Sequence, residues 1–237
     1  MTSTISESQH KSIRTAGLLY LLVTLTAPLG LVYVPSQLIV AGNATATADR
    51  IRASEWLLRL GIGSELFHQA VGVFLVLVLY RLFKPVNETR AKQLVVLGAL
   101  VSVPIMFINV LNEIAALILV GGADFLSSFQ KGQLDALAFL FLRLHNHGVE
   151  VASIFWGLWL FPFGALVIQS GFIPRWLGVL LFVAGSAYLA SATVSILQPQ
   201  YSNAVGQTAL VFEMGELPIV FWLLVRGFRR LRTTVES

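Results

Sequence analysis

The sequence predicts an all-α, polytopic membrane protein: a bundle of six transmembrane helices with one short interfacial helix before the fourth span. Three observations lead there. Hydrophobic residues make up 56% of the 237 positions and charged residues only 12%, about half the charge of an ordinary globular domain. Apolar runs of about 20 residues recur along the chain, long enough to cross a bilayer as helix. Lys and Arg gather in alternate connections, the pattern of cytoplasmic loops.

The same composition excludes other classes. There is no cysteine, which removes disulfides, thiolate metal sites and cysteine nucleophiles. The formal charge of +4 does not point to nucleic acid. Its basic residues lie in short loops and tails, not in a patch with aromatic neighbours. Six spans leave no room for a separate soluble domain. Residues 13–228 therefore read as one integral membrane domain, between a disordered tail at 1–12 and a basic cytoplasmic tail at 229–237. The partner this implies is the lipid bilayer.

Arg14 precedes the apolar run AGLLYLLVTLTAPLGLVYV. That run exceeds a signal-peptide core, and the small-residue stretch Ala44-Thr45-Ala46 lies well beyond its end. It reads as an uncleaved first span at 15–37, kinked by Pro28. Residues 38–56 are small and polar, then turn amphipathic around ADRIRASEWLLR. The second span, 57–80, contains GSELFHQ, and the basic loop RLFKPVNETRAKQ follows. The third span, 93–119, carries Asn109, Asn112 and Glu113 and ends at Gly121-Gly122.

The segment 134–169 is too long for one simple span and too short for two. Its opening LDALAFLFLRL is about 11 residues and suits the interfacial helix. A break is expected near residues 146–148, with the fourth span at 148–169. The turn SGFIPR sets Pro174 at a helix start. The fifth span, 176–197, has small residues at Ala184, Ala187 and Ser191, a spacing that lets helices approach closely. After QPQYSN, the sixth span covers 206–226 and contains FEMGELP.

Six spans put both termini on one side. With that side cytoplasmic, the inner Lys and Arg residues are Lys11, Arg14, Arg81, Lys84, Arg90, Lys92, Arg175, Arg226, Arg229, Arg230 and Arg232. The outer ones are Arg50, Arg52, Arg59, Lys131 and Arg143. This bias predicts a cytoplasmic (inner) membrane protein with both termini in the cytoplasm.

The stretches RTAGLLYLLVTLTAPLG, GIGSELFHQAVGVFLVLVLYRLFKPVN and LHNHGVEVASIFWGLWLFPFGALVIQSGFIPRWLGVLLFVAGSAYLA occur in that order. They resemble the bacterial membrane family catalogued as domain of unknown function 4386. The likeness runs roughly from Arg14 to Arg226, and its most specific part is the fourth span with SGFIPRWLGVLL. The resemblance implies a multi-pass helical protein of the bacterial cytoplasmic membrane. It implies no activity, substrate or catalytic residue.

Function has to be argued from ionisable groups inside the spans, where charge is costly and must turn inward. Glu65 and His68 lie about 12 to 17 Å below the outer end of the second span at 1.5 Å per residue. By the same rise Glu113 and Asn109 are about 9 and 15 Å deep in the third, and Glu213 and Glu216 about 10 to 15 Å deep in the sixth. His147 and Glu150 stand at the outer entrance of the fourth. Glu65/His68, His147/Glu150 and Glu213/Glu216 are i,i+3 pairs and Asn109/Glu113 is an i,i+4 pair, so each pair shares a helix face. The expectation is one polar cluster in the outer half of the bilayer. Its carboxylates cannot all stay charged: some keep their protons, or a cation neutralises them.

Three readings remain open. The first is a structural or accessory protein whose buried polar groups join the spans by hydrogen bonds. The second is a metal-dependent, hydrolase-like enzyme acting near the outer leaflet. Glu-x-x-His with glutamates from other helices is the ligand set of di-iron and di-manganese bundles, and zinc accepts the same donors. A divalent metal is the candidate cofactor, and a small molecule or lipid the candidate ligand of the cavity. The third is a proton- or ion-coupled carrier of a small solute. A 3+3 inverted repeat would place the sixth span's acids in the inner half, which speaks against that transporter design. Ser64 has no G-x-S-x-G elbow around it, and Gly61-Ile62-Gly63 follows no strand, so neither carries chemistry.

Overall fold

The computed structural model describes residues 6–228. Its first helix is set by the sequence SESQ. Ser6 and Gln9 form a reciprocal capping box, which satisfies two of the orphan N–H groups at a helix start. Helix α1 therefore spans Glu7–Leu38, beginning earlier than the span expected from residue 15. The short helix α2 (Ala44–Ala53) is capped by the Asn43 side chain. Then come α3 (Glu55–Phe83), α4 (Glu88–Gly121), α5 (Lys131–Ser170), α6 (Arg175–Leu197) and α7 (Pro199–Phe228). Apart from α2, each is long and apolar enough to cross a membrane, and the described residues contain no strand. The tail at 229–237 and residues 1–5 lie outside the described residues.

The six long helices pack in chain order: α1 on α3, α3 on α4, α4 on α5, α5 on α6 and α6 on α7. Contact of α7 with α1 closes the ring. Because the helices alternate in direction, the described termini and the turns after α3 and α5 share one end of the bundle. The connections after α1, α4 and α6 share the other.

Residues 131–170 overturn one expectation. They form a single helix of 40 residues, with no break near 146–148 and no separate interfacial helix. Nothing in LRLHNHGVEV obliges a stop. A lone interior glycine such as Gly148 costs a helix only about 1 kcal/mol, and here it accommodates a neighbour, as described below. Forty residues are about 60 Å of helix, twice a bilayer core. The C-terminal half of α5 lies against α6. A Cβ on Gly157 would stand 2.8 Å from the Gly185 carbonyl oxygen, and one on Gly164 would stand 2.7 Å from that of Gly178. These two glycine pairs, seven residues apart on both helices, bring the backbones together. Of the small residues expected to do so, Ala184 is buried while Ala187 and Ser191 are half-buried. The register leaves the N-terminal half of α5 projecting beyond α6, where α2 and α4 pack on it.

Three helices depart from regular α geometry. After Pro28, α1 passes through a π-helical segment, Leu29–Tyr33, and α4 has another at Val96–Val101. Helix α7 tightens to a 3-10 turn at Met214–Glu216. Side chains fill the ring as two hydrophobic clusters. One, around Leu79, Phe83, Leu160 and Phe163, occupies the termini end. The other, around Val34, Ile51, Val110 and Leu142, occupies the opposite end.

Candidate functional site

Polar side chains collect at the border of those two clusters. Glu65 on α3, Glu113 on α4 and His145 on α5 converge there, and each is at most 4% exposed. One ligand atom from each lies within 4.8 Å of the other two. His145 Nε2 is 3.1 Å from Glu65 Oε2 and 3.9 Å from Glu113 Oε2.

Local sequence explains how three helices bring these groups together. Gly30, in the π-helical turn of α1, lies against Glu65, and a Cβ there would come within 2.7 Å of Glu65 Cγ. Ser64 donates a hydroxyl hydrogen bond to the Thr26 carbonyl at 2.9 Å, tying α3 to α1 beside that turn. Asn109 Nδ2 donates to the His145 backbone carbonyl at 2.9 Å. Asn109 can reach it because position 148 is glycine: a Cβ there would overlap the amide. Asn112 in turn donates to Asn109 Oδ1 at 3.1 Å. The imidazole is thus held by α4 through its own backbone.

The electrostatics of the group are unbalanced. Two carboxylates face one imidazole, and Glu65 Oε1 and Glu113 Oε2 have no hydrogen-bond partner among the described residues. An unpaired buried charge costs several kcal/mol, so an orphaned carboxylate oxygen asks for a partner. A divalent cation cancels two carboxylates while leaving the imidazole neutral. Carboxylate oxygen with imidazole nitrogen is a donor set for zinc and for manganese or iron. Beside Glu113 and His145 lies a cavity of about 10 Å³, roughly what a single water needs. Asn146 also lines it, and the rest of its wall is apolar, including Val34, Leu38, Ile51 and Leu142.

Ile51 brings α2 into this wall, and a charged network holds α2 in place. Arg52 pairs with Asp135 and with Asp49, and its Nε donates to the Val120 carbonyl at 3.3 Å. Lys131 bridges Asp49 and Asp135, both at 3.1 Å. Asp135 is 1% exposed and has both cations as partners. Asp49 lies on α2 outside the long helices. The hydrogen bond from Lys131, helped by the charges of Lys131 and Arg52, holds its carboxyl below the ordinary range.

The expected single cluster is only partly assembled. Glu65 and Glu113 meet at His145, whose backbone carbonyl Asn109 holds. His68, one turn from Glu65, instead turns its Nδ1 to the Val23 carbonyl at 3.1 Å and to the Thr26 hydroxyl at 3.4 Å. His147 and Glu150 pair with each other at 2.8 Å on the exposed side of α5. Glu216 accepts a hydrogen bond from the Tyr20 hydroxyl, a separate polar contact between α7 and α1. Glu213 is half-buried on α7. His145, which the expected cluster leaves out, is the candidate ligand that the structure adds. The signal was present in the buried stripe Leu134, Ala138, Leu142, His145 and Ala152, which repeats every three or four residues or a multiple of that spacing. Placing a break at 146–148 destroyed the phase.

A family model described as Domain of unknown function (DUF4386) matches residues 15–227. The chain belongs to that family. Within DUF4386 this member is a multi-pass membrane protein, and its buried Glu/Glu/His group lies in the matched region. A relative named "Uncharacterized protein" from Archaeoglobus fulgidus is 32% identical over 89 residues, which is 38% of this chain and 51% of the relative. The aligned stretch thus spans about half the length of that relative. No solved structure matches the chain.

Proposed function

We propose that this DUF4386 protein is a divalent-metal-dependent membrane enzyme of hydrolase type, centred on Glu65, Glu113 and His145. One observation carries the reading. Three ligand atoms from three different helices lie within 4.8 Å of one another, fully buried, and two carboxylate oxygens there lack partners. A purely structural network would be expected to satisfy its own lone pairs. Glu65 and Glu113 would supply charge-neutralising oxygens and His145 a neutral nitrogen. Asn109 fixes the helix backbone that carries the imidazole. The adjacent cavity offers one further position, for water. A metal bound here would activate that water or polarise an ester or phosphoryl oxygen.

The same reading extends to the membrane and the orientation. Lys84, Arg90, Lys92, Arg175 and Arg226 lie at the termini end, which supports a cytoplasmic membrane with both termini inside. The metal centre then sits toward the outer surface, beneath α2.

Elemental analysis of detergent-purified protein tests the reading. Wild type is expected to carry one divalent metal per chain, as are His147→Ala and Glu216→Gln. Glu113→Gln and His145→Gln are expected to lose it. Chelator-sensitive hydrolysis of lipid esters or lipid phosphates in mixed micelles should follow the same pattern. A folded, metal-free wild type would falsify the metal centre and leave a hydrogen-bonded structural core.

A further inference from the structure

A second feature lies at the termini end, away from the metal centre. Between α4, α5 and α6 the surface opens into a cleft of about 780 Å³. One face of α4 lines it in order: Thr89, Lys92 and Gln93, then Val96 and Leu97. That spacing of three and four keeps all five side chains on one stripe. The stripe changes from polar to apolar within about two turns, or about 11 Å. Arg90 flanks its polar end. Phe161 of α5 and Phe182 of α6 form the far wall, their rings 5.7 Å apart.

We propose that this cleft binds one anionic phospholipid, with its phosphate at Arg90, Lys92 and Thr89 and an acyl chain along Val96, Leu97, Phe161 and Phe182. Charge selects the headgroup. Lys92 is paired with Glu88 at 3.1 Å on the exposed surface, while Arg90 has no ion-pair partner among the described residues. The polar end therefore keeps a net positive charge. The apolar end selects a lipid over a soluble anion, because Val96 is 45% exposed and a headgroup alone would leave it uncovered. Basic pockets between membrane helices bind anionic headgroups in this way. A second cleft of about 420 Å³ near Gly171, Trp222 and Arg226 has a single cation, so it serves as the internal comparison.

Native mass spectrometry of the full chain in mild detergent tests the proposal. The probes are phosphatidylglycerol and phosphatidylethanolamine with identical acyl chains. Wild type is expected to retain one phosphatidylglycerol with about tenfold preference. Arg90→Gln/Lys92→Gln should reduce that preference below about twofold, while Arg226→Gln should keep it. Val96→Trp, which fills the apolar end, should weaken retention of both lipids. Equal retention of the two lipids by wild type overturns the proposal. So does loss of preference in Arg226→Gln alone, or displacement of the lipid by glycerol phosphate at equal concentration. None of these outcomes depends on whether metal binds at Glu65, Glu113 and His145.

Discussion

Asn109 of α4 occupies the space that a side chain at Gly148 of α5 would fill, and from there it holds the backbone carbonyl of His145 at 2.9 Å. The glycine and the asparagine together set how closely two helices approach beside the candidate metal centre. Gly148→Ala should force the amide out. Overpacking of this kind costs about 1–3 kcal/mol, and the lost hydrogen bond adds about 1 kcal/mol. Metal affinity should fall about 10- to 100-fold, the usual effect of removing a group that orients a ligand. Thermal melts and metal titration check the two effects separately.

The two orphaned carboxylate oxygens predict opposite effects of one substitution with and without metal. In chelator-treated protein, Glu113→Gln should raise the melting temperature, because it removes a like charge from a buried site. With saturating metal the order should reverse, since wild type alone gains binding free energy. Melting curves of both proteins in both conditions decide it. The same order in both conditions would contradict a metal centre.

The ion pairs that hold α2 should be cooperative. Arg52→Leu leaves Asp135 with Lys131 as its remaining cation and should cost about 1–3 kcal/mol, less than a fully buried pair because Arg52 is partly exposed. Arg52→Leu/Asp135→Leu should cost less than the single change, since it leaves no buried charge behind. Chemical denaturation of the three proteins measures this.

The attachment of α2 should also depend on pH in one direction. The Asp49 carboxyl is held below its ordinary range, so its folded pKa lies below its unfolded one. Such a group stabilises the fold at pH above the unfolded value of about 3.9 and loses that contribution as pH falls through the folded value. Protection of the amides in 44–53, corrected for the intrinsic exchange rate that itself slows toward pH 3, should therefore be greater at pH 6 than near pH 3. Asp49→Asn should remove most of that difference.

The seam between α5 and α6 has little room. A Cβ at position 185 would stand 2.8 Å from the Gly157 carbonyl oxygen, so Gly185→Val drives a branched side chain into a backbone that cannot easily yield. A loss of about 2–3 kcal/mol is expected. Gly206→Ala, where a Cβ meets nothing within 4 Å, should be neutral or slightly stabilising by helix propensity. Denaturant unfolding in detergent compares them.

Much of this was legible in the residues, and the reason differs from case to case. Six apolar runs announced the six long helices, because in a bilayer the backbone must satisfy its own hydrogen bonds and length alone becomes diagnostic. The positions of Glu65, Asn109 and Glu113 along their own helices followed from helical rise. The rotation of one helix against another is not carried by rise. Glu216 therefore found Tyr20 rather than Glu65, and His147 turned to the exposed side of α5 while His145 turned inward. The Arg52–Asp135 pair joins residues far apart in the chain and has no local signature.

By itself, the sequence determined the membrane class, the number of long helices and the presence of acids within them, since these depend on hydropathy summed along continuous segments. Tertiary structure alone decided that Glu65, Glu113 and His145 form one group. That choice depends on helix rotation and on close approaches at Gly30 and Gly148, which are set by packing between segments and not by composition within them.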